Sequence, residues 1–189
     1  MLLQTLYRYG IRGPAYDWFK SYLTERLQFV SILGFDSEKL VIKHGVPQGS
    51  VLGPLLFLIY INDLHKAILN SETYLFADDT NLLNISNKLK KLQKLMNADL
   101  KKRCLWLLAN KISLNKTKTE LIFFKKPNTQ IPFNIIKING MKLFPSKSVK
   151  YLGIYLDEHL NGSAHVNILL PKLRRVNGML AKIRHYTSP

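Results

Sequence analysis

Two adjacent carboxylates, Asp78 and Asp79, end the apolar run Tyr74-Leu75-Phe76-Ala77. Upstream lies Gly45-Val46-Pro47-Gln48-Gly49-Ser50-Val51-Leu52-Gly53-Pro54, with three glycines and two prolines in ten residues. Hard oxygen donors suit Mg²⁺, which is commonly held by a few carboxylates together with substrate phosphates. Two such ions about 3.5–4 Å apart can clamp the attacking and leaving oxygens of a nucleotidyl transfer. Neighbouring side chains on an extended strand point to opposite faces, so the two aspartates are not equivalent. Asp78 is expected to be the direct ligand and Asp79 the weaker partner. An Asp pair also serves as plain turn chemistry, because Asp bonds nearby backbone N–H groups. Against that stands the apolar flank, where uncompensated carboxylates are costly to bury. In the loop, glycines let a ligand approach the backbone, Gln48 both donates and accepts, and Ser50 can cap a helix whose N-terminus favours anions. An ordinary strand-to-helix connection is the plainer reading of that loop.

The elements that must hold these groups follow from periodicity and punctuation. Leu2 to Tyr9 has helical spacing and stops at Gly10. Gly13-Pro14 opens a second helix over Ala15 to Glu25, with proline in the first turn and Trp18, Phe19, Tyr22 and Leu23 on its apolar face. Leu27 to Leu33 and Lys39 to Lys43 read as strands about a turn at Gly34 to Ser37. Leu52 to Asn70 reads as one long helix, buried on most sides near Leu55 to Ile61. Tyr74–Ala77 and Asn81–Ile85 are predicted strands flanking the aspartates. Asn87 to Asn110 is the longest helical pattern, with leucines on one side and Lys88, Lys90, Lys91, Lys94, Lys101 and Lys102 on the other. Glu120–Lys125 and Val149–Leu156 read as single strands, Phe133–Ile138 leads into an Asn139-Gly140 hairpin, and Val166–His185 is a basic helix. Helices mixed with antiparallel hairpins predict an α+β layered fold.

The chain of 189 residues suits one continuous domain with a real core. Hydrophobic content of 47% excludes a disordered chain. Lys and Arg number 28 against 12 Asp and Glu, a net charge of +16, which points to a polyanionic partner through counterion release. One cysteine, Cys104, excludes an intramolecular disulfide and a cysteine-based zinc site; its place in a helical pattern predicts a small core residue. No signal peptide is expected from the opening residues, and the longest apolar run falls far short of the roughly 20 residues of a membrane span. An intracellular protein of nucleus or cytoplasm, with no membrane partner, is expected.

These motifs carry a resemblance. Gly45 to Phe57 followed by Tyr60-Ile61-Asn62-Asp63-Leu64 resembles the central motif of reverse transcriptases from non-LTR (LINE-type) retrotransposons. Phe76-Ala77-Asp78-Asp79 resembles their catalytic aspartate box. Tyr9 to Gly13, Trp18-Phe19 and Ser21-Tyr22-Leu23 resemble the segment before it. Ser113-Leu114-Asn115 with Lys118-Thr119, and Val149 to Gly153 with Leu156-Asp157, resemble the motifs after it. The resemblance implies a right-hand polymerase extending a DNA primer along an RNA template. Residues 1–157 would be palm with remnant fingers, and 158–189 a basic, thumb-like extension. It implies that Asp78 and Asp79 bind Mg²⁺, with Mn²⁺ as a substitute. Pro47, Gln48, Gly49, Phe76 and Ala77 would border the deoxynucleoside triphosphate and template. Lys118 would face the triphosphate, with a solvated lysine as its plainer reading. Tyr151, Leu152 and Gly153 would grip the primer end, as residues of an ordinary alternating strand can also do.

Two departures qualify the resemblance. The family places another catalytic aspartate upstream of the helix ending at Tyr9-Gly10, and neither Asp17 nor Asp36 replaces it. The family's tryptophan after the primer grip corresponds here to Gly162. The endonuclease and Cys-rich segments that often accompany the family are not present. The expectation is therefore a reverse transcriptase module with little or no activity by itself. The alternatives are a non-catalytic nucleic-acid-binding remnant, using the Lys88–Arg103 face and the cluster of Lys172, Arg174, Arg175, Lys182 and Arg184, or a pseudogene-derived fragment.

Overall fold

The computed structural model describes residues 1–42, 45–46, 49–131 and 136–186. Helices and antiparallel strand pairs alternate through it, an α+β arrangement. Two compact units divide it, Met1–Ile112 and Ser113–Pro189.

In the first unit, α1 (Leu2–Arg8) and α2 (Gly13–Leu23) lie where helical spacing and Pro14 place them. The next segment is shorter-stranded than expected. β1 (Leu27–Gln28) pairs with β4 (Leu40–Val41), while β2 (Ser31–Ile32) pairs with β3 (Phe35–Asp36). The chain reverses at Leu33-Gly34 and not at Gly34 to Ser37. Both turn residues have positive φ, 52° and 85°, the combination a two-residue primed turn requires. Ser37 is engaged elsewhere: its hydroxyl accepts from the Val30 N–H at 2.9 Å.

The long helix predicted from Leu52 splits into α3 (Leu52–Ile61) and α4 (Leu64–Ala67). Asn62 and Asp63 interrupt it, both residues that compete with helical hydrogen bonding. It also ends early, because Asn70 and Ser71 turn away to bond Asp99. Burial of α3 is one-sided. Leu56 and Ile61 are buried, whereas Leu55 and Leu58 are 52% and 46% exposed, since no described element covers that side.

β5 (Glu72–Phe76) and β6 (Asp79–Leu83) form an antiparallel hairpin, followed by α5 (Leu89–Ala109). Leu75 and Leu82 point inward from the hairpin and join Phe57 and Trp106 around the buried Ile61, Leu64 and Ile68. Leu100, Cys104 and Leu107 supply the buried side of α5, so Cys104 is a core residue as its pattern implied.

The second unit centres on β7 (Ile136–Ile138) and β8 (Met141–Leu143), joined at Asn139-Gly140. Ile136, Ile138 and Leu143 are its buried apolar residues among those described. The expected strand over Val149–Leu156 is instead a hairpin of β9 (Ser148–Tyr151) and β10 (Ile154–Asp157). Leu152 and Gly153 form its turn at φ 46° and 90°. Glu120–Lys125 forms no paired strand; Leu121 makes a single parallel bridge to Pro145, and Lys125 meets Glu158 at 3.2 Å. The last elements are α6 (Ser163–Ile183) and a short 3-10 turn at Arg184–Tyr186.

Candidate functional site

Asp78 and Asp79 occupy the tip of the β5–β6 hairpin. Phe76 pairs with Asp79, which leaves Ala77-Asp78 as a two-residue turn. Alternation puts Tyr74, Phe76 and Asp79 on one face and Thr73, Leu75, Thr80 and Leu82 on the other. The second face packs into the core; the first is open, and Phe76, Ala77, Asp78 and Asp79 are all exposed. A partly buried hairpin therefore presents two solvent-facing carboxylates.

This turn differs from the other tight hairpin turns described. Leu33-Gly34, Asn139-Gly140 and Leu152-Gly153 each carry glycine, whereas Ala77-Asp78 does not. Ala77 takes φ 49°, a left-handed conformation that costs a residue with a Cβ roughly 1–2 kcal/mol. Strain of this kind persists where surrounding structure over-determines the backbone.

The surrounding structure is a clamp at the hairpin's base. Asp99 of α5 is fully buried. Its carboxylate accepts from Ser71 Oγ at 2.6 Å, Asn70 Nδ2 at 2.8 Å, the Asn70 N–H at 3.0 Å and, more weakly, the Leu69 N–H at 3.4 Å. Asn84 Nδ2 then donates to Ser71 Oγ at 2.6 Å. Ser71 precedes β5 and Asn84 follows β6, so one carboxylate ties both strands to α5. Burial alone would push the Asp99 carboxyl up; the donors from Ser71, Asn70 and Leu69 outweigh it and hold the group below its ordinary value. Asp99 escapes a motif-based reading. Its one signal is that it is the sole acid in the Asn87–Asn110 pattern, on the apolar side next to Leu100.

The glycine-rich loop is described in part. Gly45 and Gly49 have φ of 90° and 78°, a conformation that calls for glycine. Ser50 Oγ accepts from the Gly53 N–H at 3.0 Å, although the N-cap position of α3 is the next residue, Val51. Pro47 and Gln48 lie outside the described residues. At the end of α3, Tyr60 Oη donates to the Asn110 carbonyl at 2.6 Å, and Asn62 Nδ2 donates to Tyr9 Oη at 2.8 Å. The motif's polar residues thus tie α3 to α1 and to the end of α5.

Lys118, Tyr151, Leu152 and Gly153 belong to the second unit. Lys118 is exposed, in a turn where Asn115 Oδ1 accepts from its N–H at 3.2 Å and from Thr117 Oγ1 at 2.7 Å. Gly162 sits at φ 76° and begins α6, donating its N–H to Asp157 at 2.9 Å. Any side chain at that φ is strained, which accounts for glycine locally where the family pattern has tryptophan.

The donor set at the hairpin tip is two carboxylates, chemically matched to Mg²⁺ or Mn²⁺. Among the described residues no group of three or more His, Cys, Asp and Glu side chains converges. Elsewhere in the same unit the charge is basic: Lys88, Lys90, Lys91, Lys94, Lys101 and Lys102 are all exposed along α5 and its start. No described helix is long and apolar enough to cross a membrane.

Comparison with known proteins places the chain in a family. Residues 1–156 match the family model described as reverse transcriptase (RNA-dependent DNA polymerase). The chain is 32% identical over 165 residues to a probable RNA-directed DNA polymerase from transposon BS of Drosophila melanogaster, covering 82% of this chain and 18% of that protein. It is 32% identical over 154 residues to the RNA-directed DNA polymerase from mobile element jockey of the same fly, covering 78% and 17%. A Pol polyprotein from type-1 retrotransposable element R1 of Bradysia coprophila is 26% identical over 144 residues, covering 75% and 14%. The chain thus spans less than a fifth of the length of these relatives. No solved structure matches it. With a family match from Met1 to Leu156, and with transposon polymerases as its relatives, the chain belongs to the reverse transcriptase family, in the branch carried by non-LTR retrotransposons.

Proposed function

We propose that this chain is a nucleotidyl-transfer module that extends a DNA primer on an RNA template, built as a polymerase palm with partial fingers over 1–157 and a thumb-like extension over 158–189. The observation that carries the reading is the pair of exposed carboxylates on a hairpin turn whose base is clamped by a buried aspartate. A clamped scaffold holds ligands within the narrow tolerance that such chemistry requires.

Asp78 and Asp79 are the residues that would hold Mg²⁺ or Mn²⁺. When bound, such ions neutralise the triphosphate and help ionise the primer hydroxyl. The chain's own groups do the positioning. Pro47, Gln48 and Gly49 border the deoxynucleoside triphosphate and the template, and Phe76 offers an exposed ring beside Asp79 on the same face. Lys118 is assigned to the triphosphate, where its ammonium would neutralise or protonate the leaving pyrophosphate. Tyr151, Leu152 and Gly153 are assigned to the primer end; the tight turn at Leu152-Gly153, beside Tyr151 at the end of β9, suits contact with a backbone better than with a base. The lysine face of α5 is suited to phosphates, where it adds affinity without sequence preference.

The described residues bring two carboxylates together, while the family resemblance calls for three. The purified chain is therefore expected to extend primers little or not at all. The test is incorporation of deoxynucleotides on an RNA template with Mg²⁺ or Mn²⁺. Little or no synthesis, with any remainder abolished by Asp78→Asn, is the expected result; synthesis indifferent to Asp78→Asn overturns the assignment. The exposed lysine face favours a second reading, a module that only holds RNA or RNA–DNA hybrid. Tight, salt-sensitive binding without any incorporation would favour it.

A further inference from the structure

The first unit holds a cavity that the hairpin and the glycine-rich loop do not touch. It encloses about 620 Å³ and is lined by Arg8 and Tyr9 at the end of α1, Asp63, Lys66 and Ala67 around α4, and Trp106 of α5. Volumes of this order hold small molecules. Trp106 packs against the buried Ile61, Leu64 and Ile68, which anchors its ring. Asn62 Nδ2 donates to Tyr9 Oη at 2.8 Å, so the phenol is held while its own O–H remains a donor. Lys66 Nζ meets Asp63 Oδ1 at 2.6 Å, so the cavity's one carboxylate is already neutralised. Arg8 is exposed, and among the described residues no carboxylate pairs with it. Its place in the last turn of α1 suits the helix dipole, but that role leaves the N–H groups of the fork unused. A guanidinium without a counter-anion thus shares the cavity with a phenol and an indole.

These groups select a ligand. A lone carboxylate or phosphate would meet Arg8 and leave both rings uncovered. An apolar side chain would leave the guanidinium unmatched. A bilayer surface cannot enter a concavity the size of one small molecule. A nucleotide carries both halves: phosphate oxygens that a guanidinium fork meets bidentately, and a base whose flat face stacks on aromatic rings. We propose that this cavity takes one nucleotide, with its phosphate on Arg8 and its base against Tyr9 and Trp106. A free nucleotide and a nucleotide within a single strand offer the same chemistry. The site uses neither aspartate of the hairpin tip and no metal, so it stands apart from the polymerase reading.

The chain has two tryptophans, Trp18 and Trp106. Trp18 is 53% exposed, so Trp18→Phe leaves the cavity's indole as the sole tryptophan emitter in an intact fold. The test titrates the whole chain carrying Trp18→Phe with adenosine 5′-monophosphate, and separately with a four-nucleotide oligoadenylate, in buffer without divalent cations. The expected result is saturable quenching of the Trp106 emission. Added Arg8→Gln should weaken binding at least about tenfold, while added Asp78→Asn should leave it unchanged. Adenosine by titration, and inorganic phosphate by competition, should each bind at least about tenfold more weakly than the nucleotide. Quenching by the monophosphate supports the site with a free nucleotide as its ligand; quenching by the oligoadenylate alone supports it with a strand. The proposal is overturned if neither quenches, if Arg8→Gln leaves binding unchanged, or if adenosine or phosphate binds as tightly as the nucleotide. Loss of quenching in Asp78→Asn would place the nucleotide at the hairpin instead and overturn it equally.

Discussion

Ser71 donates its hydroxyl to the Asp99 carboxylate at 2.6 Å across 28 residues of sequence. Through that bond the middle of a lysine-rich helix governs the root of the hairpin that carries Asp78 and Asp79. The hairpin's inner face is packed by Leu75 and Leu82, and its root is fixed by a polar network that includes Asn84. A two-stranded hairpin by itself is marginal in water; anchored at face and base, this one can sustain an unfavourable turn at its tip.

Replacing Asp99 with Ala removes the buried carboxylate that accepts from Asn70, which is exposed, and from Ser71, which is half-buried. Hydrogen bonds to a charged group contribute about 1.5–3 kcal/mol, so Asp99→Ala should lose stability on that order, seen as a lower urea midpoint at unchanged m. Circular dichroism on the whole chain reads the shift. A variant as stable as the parent would remove Asp99 from its anchoring role.

Acid should act through the same group. The folded Asp99 carboxyl sits below its ordinary range, so its stabilisation is complete above the unfolded value near 3.9. It is lost as pH falls through the depressed folded value. The stability gap between parent and Asp99→Asn should therefore narrow on acidification. A gap that stays constant or widens below pH ~4 contradicts the assignment.

Asp157 makes a parallel case in the second unit. Burial would raise its carboxyl, but N–H donation from Asn161, His159 and Gly162 lowers it; those bonds measure 2.9–3.1 Å. The turn leading into α6 should hold above the ordinary Asp value and loosen as pH drops through the depressed one. Hydrogen exchange at Gly162, corrected for intrinsic acid dependence, should speed up on that descent. Asp157→Asn should show fast exchange at neutral pH already.

Ala77→Gly should relieve the left-handed strain at the hairpin tip. The gain of roughly 1–2 kcal/mol is offset by the roughly 0.5–1 kcal/mol entropic cost of glycine, so a small net stabilisation is expected. Gly140→Ala, at φ 79° with open space around the Cβ position, should do the opposite. Thermal midpoints of the two variants moving in the same direction would contradict this.

Binding to RNA should carry the imprint of α5. Substituting Lys90, Lys94 and Lys101 with Gln should lower the dependence of log affinity on log salt by about 0.7 for each single-strand phosphate that is no longer neutralised. A slope unchanged in the triple variant would exclude that face.

The aspartate turn, the Asn139-Gly140 turn, the long lysine-faced helix and the α+β character are all legible in the sequence, because each depends on residues within a turn or two of one another. Leu152-Gly153 is less legible: its glycine sits inside an apolar run that reads as one strand, and the positive φ of leucine becomes tolerable only when flanking strands pair. Leu33-Gly34 is hidden in the same way. Tertiary structure alone decided that Asn70 and Ser71 leave the helix for Asp99, that one side of α3 stays open, and that no residue of α6 is buried. Periodicity records which residues share a face. What meets that face depends on contacts between residues distant in the chain, and local spacing carries no information about those.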